Sequence, residues 1–93
     1  MLKIFQHSKF KSDSRRAIRS GKFSKNDEKE LFDIVECLAK GKKIDPKYRD
    51  HSLKGNWKGH RECHVKPDLL LLYKTEGNVL KLIRLTSHSK LFK

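Results

Sequence analysis

The chain has 93 residues, enough for one compact domain and too few for a separate cofactor domain, so any site must be built on a single small core. Its 23 Lys and Arg against 11 Asp and Glu give a net charge of +12, spread along the whole sequence, which points to a polyanionic partner and to nucleic acid before membrane. No segment approaches the ~20 apolar residues of a membrane span and the start lacks a signal-peptide core, so the expectation is one cytoplasmic domain over residues 1–93 with no membrane contact.

At the start, "MLKIFQ" alternates Leu2, Ile4 and, less cleanly, Phe5 with polar residues, which predicts a short strand. Ser8 is placed to cap a first helix whose apolar stripe is thin (Phe10, Ala17, Ile18), whose outer face is cationic, and which stops near Gly21. A second helix opens on Ser24 and Asp27 in a start like a capping box. Asp27, Glu28 and Glu30 complement its dipole, and Lys40 and Gly41 close it. Its stripe of Leu31, Ile34, Val35, Leu38 and Ala39 keeps the helical period and reads as core.

Beyond "KKIDPKYRD" the pattern changes to strands, with a short one around His51 to Leu53 and a turn at "KGN". "WKGHRECHV" alternates, with Trp57, Gly59, Arg61, Cys63 and Val65 on one face and Lys58, His60, Glu62 and His64 on the other. "LLLLYK" is a continuous apolar run, a central strand covered on both faces, and "TEGN" supplies a turn before the last strand, "VLKLIRL". The predicted fold is α+β: a single antiparallel sheet of about four strands with two helices from the N-terminal half packed on it. Cys37 and Cys63 form no C-x-x-C pair and read as reduced structural thiols.

A hairpin turn centred on Glu76 and Gly77 pairs residues whose numbers sum to about 153, which places Asp68 opposite Leu85 and beside Arg84. His64 lies just across "VKPD" from Asp68, and His88 follows the last strand at the same end of the sheet. His64, Asp68, Arg84 and His88 are therefore expected to converge. The same arithmetic at "KGN" sets His51 opposite roughly His60 and leaves it outside the group.

Cleaving RNA through its own 2′-hydroxyl needs a base for that proton, an acid for the departing 5′-oxygen and a cation for the charge growing on phosphorus. Histidine, titrating near ~6.5, serves either protonation role, and arginine offers a forked donor to phosphoryl oxygens. No metal or cofactor is needed for this route. Taken singly, each histidine is as well explained as a surface residue, and Asp68 after Pro67 as a turn residue. Arg84 in an apolar strand requires a partner or a ligand. "RECH" has the residue types for zinc, but adjacent ligands bite poorly and no second pair has the right spacing. Trp57 is open to two readings, a core-edge aromatic or a platform for a base. The rival to an enzyme is a non-catalytic basic nucleic-acid-binding module, and a third class is a plain interaction partner.

"YRDHSLKGNWKGHRECHVKPDLLLLYK" followed by "LIRLTSHSKLF" resembles the YafQ branch of the RelE superfamily, the toxins of bacterial type II toxin–antitoxin pairs. Over residues 48 to 92 the elements D-H-x-L-x-G-x-W-K, R-x-x-H-V-x-P-D and R-x-x-S/T-H-x-x-L-F occur in order, whereas residues 1 to 47 agree only in length and strand-helix-helix pattern. The resemblance implies a RelE-like fold and an endoribonuclease, an mRNA interferase that cuts messenger RNA on translating ribosomes. It implies an active site at His51, His64, Asp68, Arg84, His88 and Phe92. In that site His88 is general acid and Asp68, with His64, is base, two labels that can be exchanged. Arg84 would stabilise the transition state, His51 contact the phosphate and Phe92 position the nucleotide. Leu69 stands where some relatives carry tryptophan. Lys9, Lys11, Arg15, Arg16, Arg19, Lys54 and Lys58 read either as a docking surface for ribosomal RNA or as a solvated cationic face. The implied partner is an acidic antitoxin whose folding segment wraps the basic cleft, with operator DNA bound only by the toxin–antitoxin complex.

Overall fold

The apolar run becomes the central strand β4 (Leu69–Glu76) in a computed structural model of the chain, which describes residues 1–87 and Lys90. Leu70, Leu71 and Leu72 are fully buried. Neighbours on a strand point to opposite faces, so both faces of β4 are covered, and each leucine contributes roughly 1.5–3 kcal/mol by burial. β4 lies at the centre of a five-stranded sheet in the order β1-β5-β4-β3-β2, whose other members are β1 (Lys3–Gln6), β2 (His51–Ser52), β3 (Arg61–Lys66) and β5 (Val79–Thr86). Two helices, α1 (Ser8–Arg19) and α2 (Lys25–Ala39), bury Phe10, Ile34, Val35 and Ala39 against Leu71, Tyr73, Leu80, Leu82 and Leu85.

Helix α2 follows its sequence closely. Ser24 Oγ accepts the Asp27 N–H at 3.1 Å and the Asp27 carboxylate accepts the Ser24 N–H at 2.9 Å, so both bonds of the capping box form. Leu31 and Leu38 pack half-buried on the core beside Ile34, Val35 and Ala39. No helix among the described residues is long and apolar enough to cross a membrane.

Several expectations are corrected. The sheet has five strands and is mixed, because β1 runs parallel to β5 with Lys3 opposite Val79 and Gln6 opposite Leu82. Helix α1 is capped by His7, whose Nδ1 accepts the Lys9 N–H at 3.1 Å, and Ser8 is already inside it. Its inner face buries Asp13, while Ile18 is 47% exposed. Trp57 and Gly59 precede β3: Gly55–Trp57 form a 3₁₀ turn and Gly59, at φ +90°, cannot continue a strand. The β4–β5 loop is Gly77 and Asn78, with Gly77 at φ +60°, and a bulge between Leu72 and Tyr73 lets β5 carry one extra residue. Leu85 therefore faces Leu71 and not Asp68, which sits in the turn between β3 and β4.

Candidate active site on the open sheet face

Directly paired residues of antiparallel strands point to the same side, as do residues two apart on one strand. The register runs His51–Glu62–Leu72–Arg84 across β2, β3, β4 and β5, and His64–Leu70–Thr86 across β3, β4 and β5 in the next row. Leu70 and Leu72 stand outside the cluster that the helices cover, so both rows belong to the other face. His51, His64 and Arg84 thus share that face, and His51, which the turn arithmetic had left outside, begins the row that ends at Arg84. Three strand spacings separate them, about 14 Å of backbone that side chains from both ends shorten. Asp68 lies at the end of the face in the β3–β4 turn, while His88 and Phe92 lie outside the described residues.

Each of these side chains is held differently. The His51 ring lies 2.7 Å from the Arg49 carbonyl through Nδ1 and 2.9 Å from Glu62 Oε1 through Nε2. A carbonyl only accepts, so Nδ1 carries hydrogen, and the short Nε2–Oε1 contact requires one proton between ring and carboxyl. Arg49 is the one described non-glycine residue at positive φ, +53°, at the end of the 3₁₀ turn Pro46–Tyr48. Glu62 is 2% exposed, and its Oε2 is buried without a partner among the described residues. The half-buried His64 directs Nδ1 to the Pro67 carbonyl at 3.4 Å, a weak bond that leaves Nε2 of the neutral ring as the lone-pair nitrogen.

Arg84 has found its partner in helix α1. Nε donates to Asp13 Oδ2 at 2.7 Å and Nη2 to Oδ1 at 3.2 Å, and these bonds hold the guanidinium charged above its already high ordinary value. Asp13 also accepts the Leu85 N–H at 3.0 Å, on the stretch of β5 that β1 no longer pairs. Three of the five N–H donors on Arg84 remain for a ligand. At the other end of the sheet Asp50, next to His51, accepts from the Tyr73 hydroxyl and from Arg61 Nε and Nη2 at 3.4 and 3.2 Å. Burial, then Asp50, pushes the Tyr73 phenol far above its ordinary range.

Asp68 lines a cavity of about 360 Å³ between the end of α1 and the end of β5. His64 lines another of about 430 Å³ beside Tyr48 and Arg49, and the two meet at Lys66. The exposed cations Lys9, Lys11, Arg15, Arg16 and Arg19 belong to α1, which packs on β5, and Lys54 and Lys58 flank the turn after β2, so the two groups stand at opposite ends of the strand order. Trp57 is half-buried with its ring edge-on to His60 at 5.4 Å. Among the described residues no group of three or more His, Cys, Asp or Glu side chains is arranged to hold a metal ion.

Asp13 and Glu62 are the two supporting residues that sequence reasoning passes over. Asp13 left a trace: it stands three residues after Phe10 and four before Ala17, on the inward stripe of a helix, where an acid needs a buried base. Glu62 left a weaker one, an acid inside a strand on the same alternating face as His64.

Two helices on one face of a five-stranded mixed sheet, with histidines and an anchored arginine on the other, define an α+β domain of the RelE kind. The chain matches, over residues 2–93, the family described as "Bacterial toxin of type II toxin-antitoxin system, YafQ", and it belongs to that family. It is similar to the mRNA interferase toxin YafQ of Escherichia coli K12, with 47% identity over 45 residues, which are 48% of this chain and 49% of that relative. The chain thus spans about half the length of this curated relative. Among solved structures it is similar to a metal-bound toxin from Helicobacter pylori, with 46% identity, a TM-score of 0.88, and 99% of this chain and 100% of that one covered. It also resembles a chain of the E. coli DinJ-YafQ toxin-antitoxin complex, with 30% identity, a TM-score of 0.82, and 100% of both chains covered.

Proposed function

We propose that this chain is the toxin of a type II toxin–antitoxin pair and an endoribonuclease that cleaves messenger RNA, on the ribosome, by attack of the 2′-oxygen on the adjacent phosphorus. The observation that carries the reading is the pair of cross-strand rows that puts His51, His64 and Arg84 on one face, with Asp68 at its end. A base removes the 2′-hydroxyl proton, the P–O5′ bond breaks as the P–O2′ bond forms, and an acid returns a proton to the 5′-oxygen. The products are a 2′,3′-cyclic phosphate and a 5′-hydroxyl. His64 is oriented for the base role by its Nδ1 contact to Pro67, with Asp68 beside it, and His88 is the acid. The remaining Arg84 donors hold the charge growing on phosphorus, His51 contacts the phosphate and Phe92 positions the nucleotide.

The basic groups at both ends of the sheet, Lys9, Lys11, Arg15, Arg16, Arg19, Lys54 and Lys58, dock the protein on ribosomal RNA. The same surface charge suits an acidic antitoxin, and the likeness to a chain of the DinJ-YafQ toxin-antitoxin complex supports that partner. Operator DNA is contacted only within that complex, and the protein acts in the cytoplasm as a single domain. The test is to express the chain in bacteria and map cut messenger ends. A His64→Ala, Asp68→Ala double variant is expected to lose roughly 10²–10⁴ of cleavage while keeping its fold. Undiminished cyclic-phosphate ends from that variant would remove the mechanism, as would their abolition by a chelator.

A further inference from the structure

The cavity beside Asp68 has a chemistry that the cutting site does not use. At about 360 Å³ it falls at the small end of the range of ligand pockets, room for one nucleotide rather than a length of peptide. Its floor is apolar, with Phe23 almost fully buried and Leu69 half-buried. Its rim carries Arg16, Lys22, Lys66 and Lys90 against two carboxylates, Asp13 and Asp68. Asp13 is consumed by Arg84, and Lys66 by the Lys22 carbonyl at 3.0 Å and Asp27 at 3.3 Å. Lys22 and Lys90 make no ion pair among the described residues, so two ammonium groups face the cavity without a counter-charge.

We propose that this cavity is a subsite for the nucleotide flanking the cut linkage on the Asp68 side, with sugar and base on the apolar floor and the phosphate between Lys22 and Lys90. The proposal rests on reading the open face as an RNA-cutting site, because Asp68 belongs to both places and a strand threaded past it must enter the cavity. An apolar floor under a cationic rim matches a nucleotide better than an acidic peptide, which brings charge without a flat apolar group to each position.

The test measures binding of the full chain to a seven-nucleotide single strand made uncleavable by 2′-deoxy sugars, as a function of salt. Wild type is compared with Lys22→Ala/Lys90→Ala and with Lys29→Ala/Lys42→Ala, a control that removes the same charge from exposed sites outside the cavity. The cavity pair is expected to weaken binding about tenfold or more and to flatten the log–log salt slope by about 1.4, some 0.7 for each lost phosphate contact, while the control changes neither. Equal effects of both pairs would mean diffuse attraction and overturn the subsite, as would no effect of either or no binding by wild type. A polyglutamate peptide that loses affinity in the cavity pair while the nucleic acid keeps its own would assign the cavity to a protein and also overturn it. The cutting reading is judged separately by the His64→Ala, Asp68→Ala messenger ends, so nucleotide binding in the cavity without cleavage would remove the activity and leave the subsite standing.

Discussion

At the β5 end of the open face, a carboxylate from a helix holds an arginine 71 residues away, and both are drawn into the edge of the core. At the β2 end the carboxylate under His51 comes from the adjacent strand, and the neighbouring Asp50 cluster is partly in solvent, with side chains 25% exposed for Asp50 and 44% for Arg61. The contrast teaches that one end of the site is part of what holds α1 to the sheet, whereas the other is a local fitting on a two-residue strand. Damage to the first should reach stability and activity together, and damage to the second should be felt mainly in activity.

The largest expected effect is therefore at Asp13. Asp13→Ala removes three hydrogen bonds and strands a charged guanidinium at a half-buried position, which should lower unfolding stability by about 3 kcal/mol in urea titration and also depress cleavage. Pairing Asp13→Leu with Arg84→Met sharpens the point, since an apolar pair of similar volume should recover most of the stability and none of the activity. At the other end, Glu62→Gln keeps the volume and turns the buried, partnerless Oε2 into part of a neutral amide. Cleavage should fall roughly tenfold, about 1.4 kcal/mol of barrier, because the shared proton at His51 Nε2 is gone, while the urea midpoint stays close to wild type. A loss of stability as large as that of Asp13→Ala would break the comparison. Tyr73→Phe deletes the hydroxyl bonded to Asp50 and leaves Arg61 in place, for a cost of about 1 kcal/mol and little change in cleavage.

This asymmetry also explains what could be read from the amino acids alone. The capping box of α2, its apolar stripe and the leucines of β4 are local patterns, and each decided its own element. The parallel pairing of β1 with β5 joins the two halves of the chain, and no local pattern encodes it. The convergence of the site residues followed from a turn position, and the position was wrong: Gly77 and Asn78 form the loop and a bulge adds a residue to β5, so the partner of Leu85 moved to Leu71. The histidines nevertheless share a face because alternation along β3 does not depend on that register. Arg84 announced its need for a partner, but a helix residue so distant in sequence could be found only as an acid misplaced on an apolar stripe.

The smallest effect concerns the strand between the two ends. Cys63 is fully buried on β3 between Glu62 and His64, and burial, then the charges of Asp50 and Glu62, pushes its thiol from an ordinary value of 9.0 up to about 12. The unfolded chain releases this proton near its ordinary value and the folded chain holds it, so the stabilisation is complete below about pH 9 and is lost as pH rises towards 12. Between pH 8 and 9.5 the loss from this one group is roughly 0.8 kcal/mol, read as a fall in the urea midpoint. Tyr73, also raised, adds to the decline only at higher pH because its ordinary value is 10.0. Cys63→Ala should begin less stable at pH 8, from the space it leaves, yet fall less steeply over the same interval. An unchanged slope in that variant would place the alkaline sensitivity elsewhere than under the β2 end of the face.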